Sequence, residues 1–176
     1  MNKILVVVDM QNDFVDGALG SNEAVAIVDN VVNKINEFDG SIIVTYDTHQ
    51  DNYMETREGK YLPVPHCIKN TEGWKLNDKV QNALDIKGDY TFIHKPTFGS
   101  TELVDVVGAY CDEEENAEVT LVGLCTDICV VSNAMLLKAN YPEMNIYVDA
   151  SCCAGVTVDS HNAALTTMKM CQIDVI

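Results

Sequence analysis

Apolar residues fall into two alternating rhythms along the chain. Short runs rich in β-branched residues occur at Lys3 to Asp9, Ser41 to Tyr46, Tyr90 to His94, Val119 to Val122, Asn145 to Val148 and Ile173 to Ile176. Such runs read as strands, and those apolar throughout as strands buried on both faces. Between them the spacing changes to that of helices. Glu23 to Phe38 carries Val25, Val28, Val32 and Ile35 along one face, with Ser21 or Asn22 as cap and Gly40 as stop. Leu76 to Ile86, Thr101 to Tyr110, the segment after Cys129 and Val158 to Met170 read the same way. Strand alternating with helix predicts parallel strands joined by right-handed crossovers. The expected fold is one three-layer αβα domain over residues 1–176, an α/β protein with a mainly parallel six-stranded sheet.

Three stretches break the rhythm. Asn12, Asp13, Asp16 and Gly17 mark a loop, and Asp112 to Asn116 reads as a solvated acidic loop. Gln50 to Gly73 is punctuated by Gly59, Pro63, Pro65 and Gly73. A loop that long inside a compact domain usually carries function.

The chemistry gathers at strand ends. In Glu118 to Ala139, Gly123 is expected to end a strand, and Thr126 and Asp127 to cap a helix with Cys129 in its first turn. Free N–H groups and the helix dipole there favour a thiolate and a lowered pKa. A small buried thiol packed as a hydrophobe is the plainer alternative. Open parallel sheets bind ligands beyond the carboxyl ends of their strands. Asp9, Lys95 and Cys129 all fall there, a base, an ammonium and a nucleophile. Read singly, Asp9 also suits a loop cap and Lys95 a surface charge.

Asp47 and His49, two apart, share one side if the second strand runs through them. His66, held between prolines and Cys67, adds a second imidazole. Two imidazoles and a carboxylate suit Zn²⁺, Fe²⁺ or Mn²⁺, with Glu58, and less readily Glu55, as a further ligand. A loop that merely contains two of the four histidines is the competing reading. His94 reads as a strand residue directed away from Lys95, and His161 as a helix-start residue.

Composition narrows the classes. Hydrophobic residues make up 47% and charged residues 22% of 176, a globular balance. The net charge of −16 offers nothing to neutralise phosphates in bulk, so nucleic acid is not expected as a partner. No apolar run approaches a membrane span, and the first residues lack a signal-cleavage pattern. Seven irregularly spaced cysteines without a CxxC pair speak for reduced thiols, and the expectation is a cytoplasmic protein.

Three segments, VVVDMQNDF, IHKPTFGS and GLCTDICV, together resemble the isochorismatase-like cysteine hydrolases. Asp47-Thr48-His49 followed by PVPHCIKNTEGW is similar to the metal-containing nicotinamidase branch. The resemblance covers essentially the whole chain. It implies Asp9, Lys95 and Cys129 as catalytic triad, and Asp47, His49 and His66 as metal ligands, with Glu58 where some members place a carboxylate. It further implies a cis peptide between Leu124 and Cys125, an oxyanion hole from the backbone N–H groups of Cys125 and Cys129, Phe14 against the substrate ring, and Gln11 near bound groups. Zinc is the implied metal, a small amide the substrate, and a homo-oligomer the expected assembly. Hydrolysis of nicotinamide through a thioester is the leading expectation. The alternatives are a related hydrolase of another amide or N-carbamoyl compound, a non-catalytic metal or ligand binder, and a thiol-redox protein. The chain departs from the branch at Thr48, where tryptophan is common, at Cys125, where alanine is usual, and at Gln50 to Tyr53, which lacks a further histidine.

Overall fold

Strands apolar on both faces need cover on both, and the chain supplies it. The computed structural model describes residues 2–111 and 117–176, so the loop expected at Asp112–Asn116 falls outside the described residues. In chain order the elements are β1 (Asn2–Val8), α1 (Asn12–Val15), α2 (Asn22–Glu37), β2 (Ser41–Asp47), a 3₁₀ turn (Tyr53–Glu55), α3 (Arg57–Tyr61), α4 (Asp78–Lys87) and β3 (Thr91–Lys95). There follow α5 (Thr101–Gly108), β4 (Ala117–Leu124), a π-helical turn (Thr126–Val130), α6 (Val131–Asn140), β5 (Asn145–Ala154), α7 (Val158–Met170) and β6 (Asp174–Val175). The six strands form one parallel sheet in the order β3-β2-β1-β4-β5-β6. No helix among the described residues is long and apolar enough to cross a membrane.

Central strand β1 shows how two cores arise from one run. Ile4 to Val8 have no exposed surface, and successive side chains point to opposite faces. Ile4, Val6 and Val8 pack with Leu103, Val107, Leu137 and Met168 from α5, α6 and α7. Leu5 and Val7 pack with Val28, Val31, Ile35, Val80 and Leu84 from α2 and α4. Each such burial is worth about 1.5–3 kcal/mol relative to exposure. The chain lays β2 and β3 on one side of β1, and β4, β5 and β6 on the other. Connections therefore diverge between β1 and β4, and a crevice opens beyond their carboxyl ends.

Several expectations need correction. The inner face of α2 is Ala24, Ile27, Val28, Val31 and Ile35, while Val25 is half exposed. The N-cap is Ser21, whose hydroxyl accepts the Ala24 N–H at 3.0 Å. Asn12–Val15 is a helical turn, not a loop; Phe14 and Val15 are buried by it, and one turn is too short to show a period. Gly123 does not end β4. The strand runs on to Leu124 through a register shift, with Gly123 at φ +114° and so close to β1 that a Cβ would meet Val8 O at 2.1 Å. The same shift explains why β5 outlasts Val148: Cys153 and Ala154 pair again with Gly123 and Leu124 beyond the irregularity.

Candidate functional site

Asp9 follows β1 directly, with φ +48°, a left-handed conformation uncommon for a residue with a side chain. Its carboxylate is anchored by the Thr45 hydroxyl of β2, which donates to Oδ1 at 2.6 Å. Lys95 ends β3, two strands and roughly 10 Å across the sheet from β1. Only a long side chain crosses that gap. Its Nζ lies 2.6 Å from Asp9 Oδ2, 3.5 Å from Asp47 Oδ1 and 3.4 Å from Cys129 Sγ. Asp9 and Lys95 are both almost entirely buried. At 2.6 Å the Lys95 ammonium is the one group that meets Asp9 Oδ2, which has no other partner among the described residues.

Cys129 sits in the π-helical turn, closed by the Val130 N–H donating to Cys125 O at 3.0 Å. Thr126 and Asp127 do not cap it; the N-cap is Cys125, without a side-chain bond. They pin the turn outward instead. Thr126 Oγ1 lies 2.8 Å from His161 Nδ1 of α7, and the Asp127 carboxylate accepts the Val156 N–H at 3.1 and 3.2 Å. The Leu124–Cys125 peptide bond is cis.

The expected lowering of the thiol pKa is also reversed. Burial, then the Asp9 charge, push the Cys129 thiol well above its ordinary value, and Lys95 offsets only part of this. Burial likewise pushes the Asp9 carboxyl up; Lys95 opposes and Asp47 reinforces it. For Lys95, burial favours the neutral amine, but the charges of Asp9, Cys129 and Asp47 outweigh it and keep the ammonium. These directions favour a protonated thiol beside a charged Lys95.

A second cluster adjoins the first. Asp47 ends β2, so the strand does not extend through His49; that residue is brought in by a bridge to Ile68, its N–H donating to Cys67 O at 3.0 Å. Donor atoms of Asp47, His49 and His66 all lie within 4.8 Å of one another, and all three residues are buried. His66 Nδ1 is 2.8 Å from Val64 O, an acceptor, so Nδ1 carries a proton and the neutral ring presents a bare Nε2 to the cluster. His49 Nε2 is buried without a hydrogen-bond partner, because its 3.0 Å approach to Asp47 Oδ2 is misaligned. A bare imidazole nitrogen, an orphaned one and a carboxylate converging on one point are a donor set that fits a divalent cation. Glu58 of α3 places Oε1 3.6 and 3.7 Å from the two Nε2 atoms, whereas Glu55 is exposed. Burial, then Asp47, push the Glu58 carboxyl up. Burial acts the same way on Asp47, but the imidazoles and Lys95 hold its carboxyl well below the usual range.

The turn after β1 ties both clusters together. Gln11 does not line the cavity; it is fully buried, with its amide engaged by backbone. Its Nε2 donates to Asp47 O and Trp74 O at 2.8 Å each, and its Oε1 accepts the Asp47 N–H at 2.8 Å. Asp13 Oδ2 accepts the N–H of Cys67, next to His66, at 2.8 Å, and Asn12 Nδ2 donates to Glu72 O at 2.9 Å. These roles were not read from the sequence, although three adjacent amide and acid residues flanked by apolar ones were a signal. Trp74 and Tyr53 were also missed. Trp74 Nε1 donates to Thr48 Oγ1 at 2.9 Å and its ring stacks on His94 at 5.3 Å. Buried Tyr53 packs edge-on to His49 and His66, at 4.8 and 5.0 Å. A cavity of about 930 Å³ reaches Cys129, Cys125, Asp47, His66 and Phe14. Phe14 lies 5.4 Å, ring to ring, from His66.

Known proteins resemble this chain in sequence and in fold. The family model for the isochorismatase domain matches residues 3–176. A nicotinamidase of Schizosaccharomyces pombe is 28% identical, over 98% of this chain and 91% of its own. The crystal structure of nicotinamidase/pyrazinamidase from Bacillus subtilis superposes with a TM-score of 0.86, at 25% identity and 99% coverage of both chains. That of pyrazinamidase from Pyrococcus horikoshii in complex with zinc gives 0.75, at 25% identity, covering 100% of this chain and 99% of that one.

Proposed function

The chain belongs to the isochorismatase family, and from that premise we propose that it hydrolyses the carbon–nitrogen bond of a small amide, first of all nicotinamide, for which several of its relatives are named, to nicotinate and ammonia. The observation that carries the reading is the position of one amine. Lys95 Nζ touches the base, the nucleophile and the metal cluster at once, through Asp9, Cys129 and Asp47.

In this mechanism Asp9 takes the Cys129 thiol proton as the sulfur attacks the amide carbon. A carboxylate whose pKa is raised by burial is a stronger base for that proton. Lys95 keeps the carboxylate in place and balances the charge that forms on sulfur. The N–H groups of Cys125 and Cys129 receive the oxyanion. When the carbon–nitrogen bond breaks, Asp9 returns its proton to the leaving ammonia and an acyl thioester remains on Cys129. Asp9 then takes a proton from the attacking water, the carbon–sulfur bond breaks, and the thiol regains that proton. Phe14 packs against the substrate ring.

Asp47, His49 and His66, with Glu58 as fourth donor, would hold a divalent cation, zinc before iron or manganese. When bound there, such a cation supplies a Lewis acid for the ring nitrogen and for water. Gln11 and Asp13 hold the peptide segments of Asp47 and His66 for that purpose.

The test is ammonia release from nicotinamide by purified protein whose metal content has been measured. Turnover of nicotinamide that disappears in Cys129→Ala is the expected result. Release from N-carbamoyl compounds with none from nicotinamide would overturn the substrate, and full activity in Cys129→Ala would overturn the thioester.

A further inference from the structure

The cavity above Cys129 is larger than a one-ring amide requires. Its volume of about 930 Å³ lies near the top of the roughly 300–1,000 Å³ that holds drug-sized ligands. The reactive groups lie at its buried end, with Asp47, His66 and Cys129, while Ser21, Arg57 and Thr97 are the polar residues of the more open part. The mouth is apolar: Tyr61, Leu62, Phe98 and Val156 line it, yet are 78%, 38%, 47% and 60% exposed. Exposed apolar side chains scattered singly need no reason, but a group of them bordering a functional cavity does. The acids in the lining, Asp47 and Glu58, belong to the metal cluster. The cation, Arg57, is laid over the Tyr61 ring at 5.1 Å. The outer space therefore offers mainly apolar contact area to a ligand, with the Arg57 guanidinium held against Tyr61 as its one cation.

Resting on the reading of Cys129 as the amide-opening nucleophile, we propose that the preferred substrate is an extended one: an aromatic carboxamide whose ring carries an uncharged apolar substituent filling the mouth between Tyr61, Leu62, Phe98 and Val156. The carboxamide reaches Cys129, and the substituent takes the area that nicotinamide leaves open. Continuity of the mouth with the buried reacting end favours a small molecule over a protein partner, which has no need of that depth.

The experiment uses metal-loaded Cys129→Ala protein, which binds without turning over. Its affinity is measured calorimetrically for nicotinamide and for ring-alkyl and ring-phenyl homologues. Each methylene buried should tighten binding about fourfold, and in the active protein kcat/KM should rise along the same series. Phe98→Ala and Tyr61→Ala should flatten that slope. Affinity that is flat or falls along the series, or a carboxylate-bearing substituent bound more tightly than the alkyl one, overturns the proposal. The parent reading is judged apart, by ammonia release from any amide in the active protein. Tightening without release would leave the mouth's role standing and remove the hydrolase; release with a flat series would do the reverse.

Discussion

The two clusters in the crevice stand side by side but are built by different means. Asp9 and Lys95 lie at the ends of regular strands, and Cys129 follows a third, so the pitch and spacing of the sheet deliver them. Asp47 shares that support, but His49 and His66 lie on irregular chain between β2 and α4, and Glu58 on the short α3 within it. The peptide groups of Asp47, Cys67 and Glu72 beside that stretch are held by side-chain bonds from Gln11, Asp13 and Asn12. The end proposed as nucleophilic thus depends on backbone packing, and the end proposed to bind a cation on a hydrogen-bonded clamp. The two should fail separately.

The sharpest separation comes from Cys129→Ala. Deleting the nucleophile should lower kcat by about 10⁴-fold or more, while metal stoichiometry, read by elemental analysis, stays that of the parent. Loss of metal in this variant would mean that the clusters are one unit. Next in size is Gly123→Ala, which strikes the seam between β1 and β4. With φ +114° and Val8 O 2.1 Å from the added Cβ, one strand must move. A cost of about 3 kcal/mol in urea unfolding is expected, with activity falling further than metal affinity, because Asp9 and Cys129 flank that seam.

The clamp is tested from the other side by Gln11→Ala. It leaves the Asp47 N–H and two carbonyl oxygens without their side-chain partner. Residues that orient ligands typically contribute about 10- to 100-fold to metal affinity, and a loss in that range should appear in competition with a chromophoric chelator. A fall in thermal stability with unchanged metal affinity would assign Gln11 to packing alone.

The same division decides what could be read from the sequence. Strands such as KILVVVD announce themselves, and with them the places where Asp9 and Lys95 must lie. Glycine misled where it serves close approach: Gly123 looks like a stop and is a contact with Val8. Thr126 and Asp127 suit a cap by type but bond across to α7 and the chain before it, a long-range demand that local preference does not encode. The clamp was illegible for the same reason, since Gln11 and Asp47 are 36 residues apart and the bonds run to backbone. Thiol acidity failed as an expectation because helix position was weighed without the Asp9 charge and the burial that surround Cys129.

The smallest effect concerns the turn that carries the nucleophile. His161 Nδ1 lies 2.8 Å from Thr126 Oγ1, and burial lowers its pKa below the ordinary 6.5, with the Asp127 charge opposing. The native protein therefore takes up this proton at lower pH than the unfolded chain. The stability it contributes is complete above pH 6.5 and is lost as pH falls from there through the folded value. His161→Gln stays neutral throughout, so the unfolding midpoint of the parent should drop toward, then below, that of the variant as pH goes from 8 to 5. Metal affinity should show no such crossing, because the clamp reaches Asp47 and Cys67 from the turn after β1 rather than from α7. If the midpoints run parallel over the whole range, the bond to Thr126 does not depend on the neutral imidazole, and the turn is held by Asp127 and Val156 alone.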